Sequence, residues 1–289
     1  MKMVACGSWM STLTIAYWTI GCVSVILSLI VPQFEEMSLY GKLRDPKQIG
    51  LTVPKSWFTH FYVIAVSWSF LLLIASIYDK NLIMEGIHFA ISEDSLIGIH
   101  LCTRTHLTED RQTDLVALAL FAVHACRRLY ESVFLSVYST AARMHISGYI
   151  IGTTFYVAAP WTIIMDSGFL LEKSMTSFIY VIGIPLFVIG SWKQHEAHAI
   201  LAKLRERNNE YRIPNGGWFS YVSSPHYLSE ILLYAGLVFV VPFRSFRSGF
   251  MLLFIVLNLY TSALRTHRWY HLKFEAYPKS RYAILPYIV

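Results

Sequence analysis

Apolar residues gather along the chain into seven runs, at roughly 9–31, 57–78, 114–138, 147–165, 177–192, 228–242 and 249–266. A helix needs about twenty apolar residues to cross the hydrocarbon core of a bilayer. The fifth and sixth runs are short and lead into polar sequence, so their polar ends are predicted to face protein or a water-filled cavity. The first is longer than a signal peptide's core of about 7–15 residues and lacks a small-residue cleavage site, so it is predicted to stay as a helix. No fixed-period repeat, low-complexity tract or linker divides the chain. The predicted fold class is therefore all-α: a polytopic membrane protein with about seven transmembrane helices, no Rossmann domain, and one integral membrane domain over residues 1–289.

Composition narrows the class further. Hydrophobic residues make up 55% of the 289 and charged residues 15%, against roughly 25% charged in soluble domains. Too little charge is present to cover a soluble surface. The four cysteines, Cys6, Cys22, Cys102 and Cys126, form no CxxC and predict neither a disulfide framework nor a zinc ribbon. The net charge of +6 lacks a basic stripe with interleaved stacking aromatics, so no nucleic acid is expected. Placing the N-terminus outside puts fifteen Lys and Arg in inside segments and seven in outside segments. The positive-inside rule then predicts an N-terminus on the outside and a cytosolic C-terminus.

Three polar clusters stand out against this background. In "HACRRLYE" (124–131), His124 and Arg128 are four apart, as are Arg127 and Glu131. On a helix the cluster partly neutralises itself while one face stays cationic. It is an ion-pair knot between helices, the lining of an anion cavity, or the sign that the span's boundary lies elsewhere than the apolar run suggests. At the exit of the fifth run, Gln194, His198 and Arg205 share one helix face, which an amphipathic helix leaving the membrane would also explain. His195, His198, His267 and His271 match neither HExxH nor the boxes of di-iron oxygenases, so no metal is predicted. In the run from Tyr211 to Glu230, Gly216 and Gly217 permit positive φ or close approach. Ser224-Pro225 reads as a helix start, with His226, Glu230 and Tyr234 following on one face.

These residues carry a resemblance. From about residue 120 onward, the Tyr211–Glu230 run and the tail "RWYHLKFEAYPKSRYAILPYIV" are similar to the C-terminal domain of steroid 5α-reductases. Within that superfamily, "HACRRLYE" and "VPKSWFTHFY" (53–62) most resemble the polyprenol reductase branch. The resemblance implies N-terminal helices with variable loops over 1–112 and a catalytic region over 113–289. It further implies an endoplasmic-reticulum enzyme that reduces the α-isoprene double bond of polyprenol or polyprenal in dolichol synthesis, in support of protein N-glycosylation. NADPH is the implied cofactor, and a long-chain isoprenoid lipid and the bilayer are the implied partners, with no obligate protein partner. By motif, Arg128, Gln194, His198, Arg205, His226, Glu230 and Tyr270 fall where steroid reductases line the cofactor, with Gln194, His198 and His226 standing for Asn, Asp and Asn. Arg128 and Arg205 are suited to the phosphates and adenosine ribose through their forked donors.

The steroid ketone clamp is missing, since its Tyr position is Ala125 and the "WFTHFY" run offers His60 without a Glu. His60 is the expected carbonyl donor, with Tyr62 or His124 assisting, and Ala125 is expected to open room for the isoprenoid. Other readings are a steroid or very-long-chain enoyl reductase of the same superfamily, an isoprenylcysteine-type methyltransferase, and a seven-helix receptor or transporter.

Overall fold

The seven apolar runs become seven long helices in a computed structural model, which describes residues 3–43, 50–78, 111–139, 142–166, 173–206, 211–240 and 246–286. In chain order these are α1 (Met3–Ile30), α3 (Phe58–Tyr78), α4 (Arg111–Tyr130), α5 (Ile146–Asp166), α6 (Lys173–Glu206), α7 (Pro225–Val240) and α8 (Phe246–Lys273). A short α2 (Pro32–Ser38) follows α1, opened by Pro32 in its first turn. Among the described residues, four stretches are long and apolar enough to cross a membrane: Thr12–Ile30, Lys55–Ile77, Ile146–Met165 and Phe246–Lys273. The outward faces carry bare apolar side chains such as Leu13, Ile74, Val181 and Val188, as a lipid-facing coat requires. The chain is a multi-pass helical membrane protein.

Two departures from the sequence expectation position the site. Regular α-helix ends at Tyr130, and Glu131–Leu135 continue as a π-helical turn. The HACRRLYE charges thus sit at the end of a helix instead of mid-span, where water and neighbouring helices reach them. The second departure is a small antiparallel ribbon, β1 (Thr52–Pro54) on β2 (Arg143–His145), with Val53 opposite Met144. It joins the entrance of α3 to the entrance of α5 at the same end of the bundle.

That end also receives the chain's last segment. Arg281, buried, donates to the Pro214 carbonyl at 2.8 Å and to Asn215 Oδ1 at 2.5 Å. Past the Gly216-Gly217 loop, Ser223 N–H donates to the Tyr282 carbonyl at 2.8 Å and Tyr282 N–H donates to the Tyr221 carbonyl at 3.0 Å. Both glycines have positive φ, +95° and +51°, as expected for a loop that no β-branched residue could follow. Cys22 and Cys126 are free thiols, whereas Cys102 lies outside the described residues, as does the side chain of Cys6.

Helices α6 and α7 pack along most of their length, because three glycines let their backbones touch. A Cβ on Gly190 would lie 2.7 Å from Leu233 N and Ser229 O, and one on Gly236 would lie 2.6 Å from Gly183 O and Phe187 N. Backbone cannot retreat as a side chain can, so Gly236→Leu is expected to destabilise the protein by about 3 kcal/mol or more. Thermal melting in detergent would read this as a Tm several degrees lower. A wild-type Tm would show that the two helices do not approach this closely.

Candidate active site

Close approach of α6 to α7 brings their polar faces against the end of α4, and a buried carboxylate joins the three. Glu131 is fully buried and has four donors around it. Arg127 Nη1 lies at 2.6 Å and Arg128 Nη1 at 2.5 Å, with His195 Nδ1 at 2.8 Å and His198 Nδ1 at 2.7 Å. A buried carboxylate is costly unless paired and hydrogen-bonded; this one is both. Arg128, so held, turns its other amine on Tyr62, donating to the hydroxyl at 2.6 Å. Its guanidinium carbon stands 4.8 Å from the Tyr62 ring centroid.

A second carboxylate, Glu230 of α7, completes the network. It accepts from Gln194 Nε2, and Gln194 Oε1 in turn accepts from Arg127. His124 Nδ1 lies 3.2 Å from Arg127 Nη2, which places its ring proton on Nε2, facing Glu230 at 3.5 Å. With the histidines neutral, two arginines meet two carboxylates. This part of the site carries no net charge.

A cavity of about 470 Å³ opens beside the network. Tyr62, Arg128, Gln194, His198, His226 and Glu230 form its polar end. Its far side, formed by α1, α2, α5 and α8, is mostly apolar, with Ser24, Ser28, Asn258 and Arg265 among its polar exceptions. Tyr156 and Tyr234 also line it, and the Tyr234 hydroxyl is buried with no hydrogen-bond partner.

A smaller cavity, about 120 Å³, adjoins the first across Tyr40, His226 and Tyr227. Its wall holds Lys42, Lys55, Arg205, Arg212 and Tyr270. Lys42 Nζ stands 3.7 Å over the Tyr270 ring, which stacks in parallel on Tyr277 at 5.1 Å. Arg205 donates to the Val137 carbonyl at 2.8 Å. Among the described residues no carboxylate pairs with Lys42, Lys55 or Arg205. Burial, with the charges of Lys55 and Arg205 behind it, pushes the Lys42 ammonium well below the usual lysine range. His226 Nδ1, on this wall, and the hydroxyl of Ser224, behind it at the start of α7, are buried without partners among the described residues. Uncompensated cations and unpaired donors on one wall are a binding surface for an anion.

The structure therefore gathers eight of the ten residues singled out in the sequence onto these two walls: Tyr62, Arg128, Gln194, His198, Arg205, His226, Glu230 and Tyr270. His124 is fully buried behind Glu230 and does not line the cavity. His60 stays outside it. Two residues before Tyr62 is about 200° around the helix, so with Tyr62 inward His60 faces out, 3.1 Å from the Tyr149 hydroxyl and packed on Trp57. Ala125 is fully buried and absent from the cavity wall. Lys42 and Lys55 are the residues that sequence reasoning missed. They sit in short polar segments where a lysine reads as a marker of topology, and nothing local signals that they turn inward.

Residues 131–289 match the 3-oxo-5-alpha-steroid 4-dehydrogenase family. The chain belongs to the steroid 5α-reductase family. Among relatives of this family, it is 35% identical over 283 residues to polyprenal reductase 1 of Oryza sativa subsp. indica, covering 82% of this chain and 80% of that one. It is 32% identical over 295 residues to the polyprenal reductase of Caenorhabditis elegans, covering 93% and 91%. With polyprenal reductase 2 of Arabidopsis thaliana the identity is 33% over 336 residues, covering 98% and 96%. As a steroid 5α-reductase family member the protein is an oxidoreductase acting on CH–CH groups.

The Glu131 network yields a direct test. Glu131→Ala leaves two arginines without their shared carboxylate, which should cost about 3–5 kcal/mol. The expected result is a much shorter half-life of the folded protein in detergent at fixed temperature. Glu131→Ala with wild-type persistence would mean that the arginines are neutralised by other groups.

Proposed function

We propose that the protein reduces the α-isoprene double bond of polyprenal with NADPH, at the endoplasmic-reticulum membrane, in dolichol synthesis. The observation that carries this reading is the paired cavity: an uncompensated cationic end, a neutral hydrogen-bonded middle and an apolar end, contiguous in one bundle. The names of the relatives support the substrate, and fifteen inside cations against seven outside support a cytosolic face for the polar end.

The cofactor fits by charge. Lys42, Lys55 and Arg205 would hold its phosphates, including the 2′-phosphate that separates NADPH from NADH. His226 and the Ser224 hydroxyl offer unpaired donors beside them. The neutral network of Arg128, Gln194, His198 and Glu230 suits the uncharged nicotinamide and ribose. This assignment moves the phosphates away from Arg128, whose charge Glu131 already balances. When bound, NADPH supplies hydride.

Electron demand selects the substrate. A carbon–carbon double bond accepts hydride only where the developing negative charge can spread, as in an α,β-unsaturated aldehyde. An allylic alcohol has no such sink, so polyprenal is the species reduced. Charge then appears on the carbonyl oxygen, where a fixed donor stabilises it. Tyr62 is that donor: its oxygen accepts from Arg128 and its own proton is free to give. The adjacent guanidinium stabilises the hydroxyl as it donates. Hydride reaches the β-carbon and a proton the α-carbon. Tyr234, whose hydroxyl bonds no described residue, holds a proton for that step. His124 orients Glu230 and touches neither reactant.

Liposomes carrying the protein and NADPH should convert polyprenal to its α-saturated aldehyde; no conversion would end this reading. Tyr62→Phe should lower kcat by about 10²-fold or more with NADPH affinity nearly unchanged, and unchanged turnover would remove Tyr62 from the mechanism. Lys42→Met and Arg205→Ala should each weaken NADPH more than NADH. The preference for NADPH should also fall as pH rises, because Lys42, held below its usual range, loses its charge and with it one phosphate contact. Lys42→Met should flatten that pH dependence; a Lys42→Met profile identical to wild type would place the phosphate elsewhere.

A further inference from the structure

The apolar end of the larger cavity is finite, and its size bears on what the enzyme reads. A dry apolar cavity of about 150 Å³ admits benzene. At about 470 Å³, with the nicotinamide held at its polar end, the space left beside the catalytic residues accommodates about two isoprene units by the same scale. A long polyprenyl chain cannot be contained.

The remainder has a way out. Helices α1 and α5 are stitched together in one half, by Tyr17 to Thr154 at 2.9 Å, Trp18 to Thr162 at 3.0 Å and Thr14 to Met165 at 3.7 Å. In the other half no such bond joins them among the described residues, and the cavity wall runs from Ile20 and Ser24 of α1 to Gly148 and Ile151 of α5. Ile20 is 65% exposed and Ile151 46% exposed, so the rim faces hydrocarbon. Gly148, on that rim, has nothing within 4 Å of where a Cβ would stand.

Beyond the rim the tail meets lipid whether or not the aldehyde is bound. Acyl chains are as apolar as leucine side chains, so units left in the bilayer contribute no difference between free and bound states. Only differences of that kind raise kcat/KM.

We propose, on the reading of the reaction given above, that the protein is also a reductase of short α,β-unsaturated isoprenals, recognising the aldehyde and about the first two units and ignoring chain length beyond them. Atoms and electrons balance as for the long substrate. Hydride from NADPH adds to the β-carbon, a proton adds to the α-carbon, and the double bond is reduced as NADPH is oxidised.

The test uses the full chain in liposomes with NADPH and geranial, farnesal, geranylgeranial or a long polyprenal at matched concentration in the membrane. Values of kcat/KM should stay within about threefold from geranial out to the long chain, since the later units change no binding difference. A steady increase up to the long polyprenal, or turnover of that substrate alone, would overturn the proposal while leaving the reaction intact. Failure on every substrate would remove both. Gly148→Phe, at a position where a Cβ meets nothing within 4 Å, should narrow the exit, so the ratio of kcat/KM for long polyprenal over geranial should fall about tenfold or more. An unchanged ratio in Gly148→Phe would overturn the exit between α1 and α5.

Discussion

Charges in a low-dielectric interior must be neutralised locally, and the organisation of this site follows from where that happens and where it does not. Glu131 draws two arginines and two histidines to one carboxylate, and Glu230 takes up the remaining donors through Gln194 and His124. The network fixes Arg128, and through it the Tyr62 hydroxyl, with no external counter-ion. Lys42, Lys55 and Arg205 have no such partner among the described residues, although the two lysines come from segments that could have stayed in water. The same bundle thus leaves its cations unpaired at one end and pairs them at the other.

Backbone proximity makes the network possible. Gly183, Gly190 and Gly236 allow α6 and α7 to touch, which carries Gln194 and His198 to Glu230 and His226. The tail then closes the same end of the bundle, with Arg281 on the Gly216-Gly217 loop and Tyr277 bonded to Ser223. The segment therefore orders the loop before α7 and presents Tyr270 beneath Lys42. Residues near the C-terminus thus serve the anion wall although few of them line it.

Much of this was legible from residue pattern. All seven helices fall where apolar runs of membrane-spanning length or nearly so occur, because hydrophobic length is a local property. The HACRRLYE cluster had to find partners, since arginines in or near a span cannot face lipid. Its internal spacing already paired Arg127 with Glu131. The helix start at Pro225 and the positive φ of Gly216 and Gly217 also followed from residue type. Which of His60 and Tyr62 lines the cavity was not legible, also for a local reason: it depends on which face of α3 turns inward, and apolar residues surround that helix on every side.

By itself, then, the sequence determined the helical membrane class, the polar clusters and the family, because each rests on composition, period or motif. Tertiary structure decided that Glu131 is shared by four donors, that Lys42 and Lys55 turn inward beside Arg205, and that the cavity ends at a lipid-facing rim by Gly148. Those facts depend on distances between helices and loops far apart in the chain. Such distances are set by which faces can approach, and no single segment carries that information.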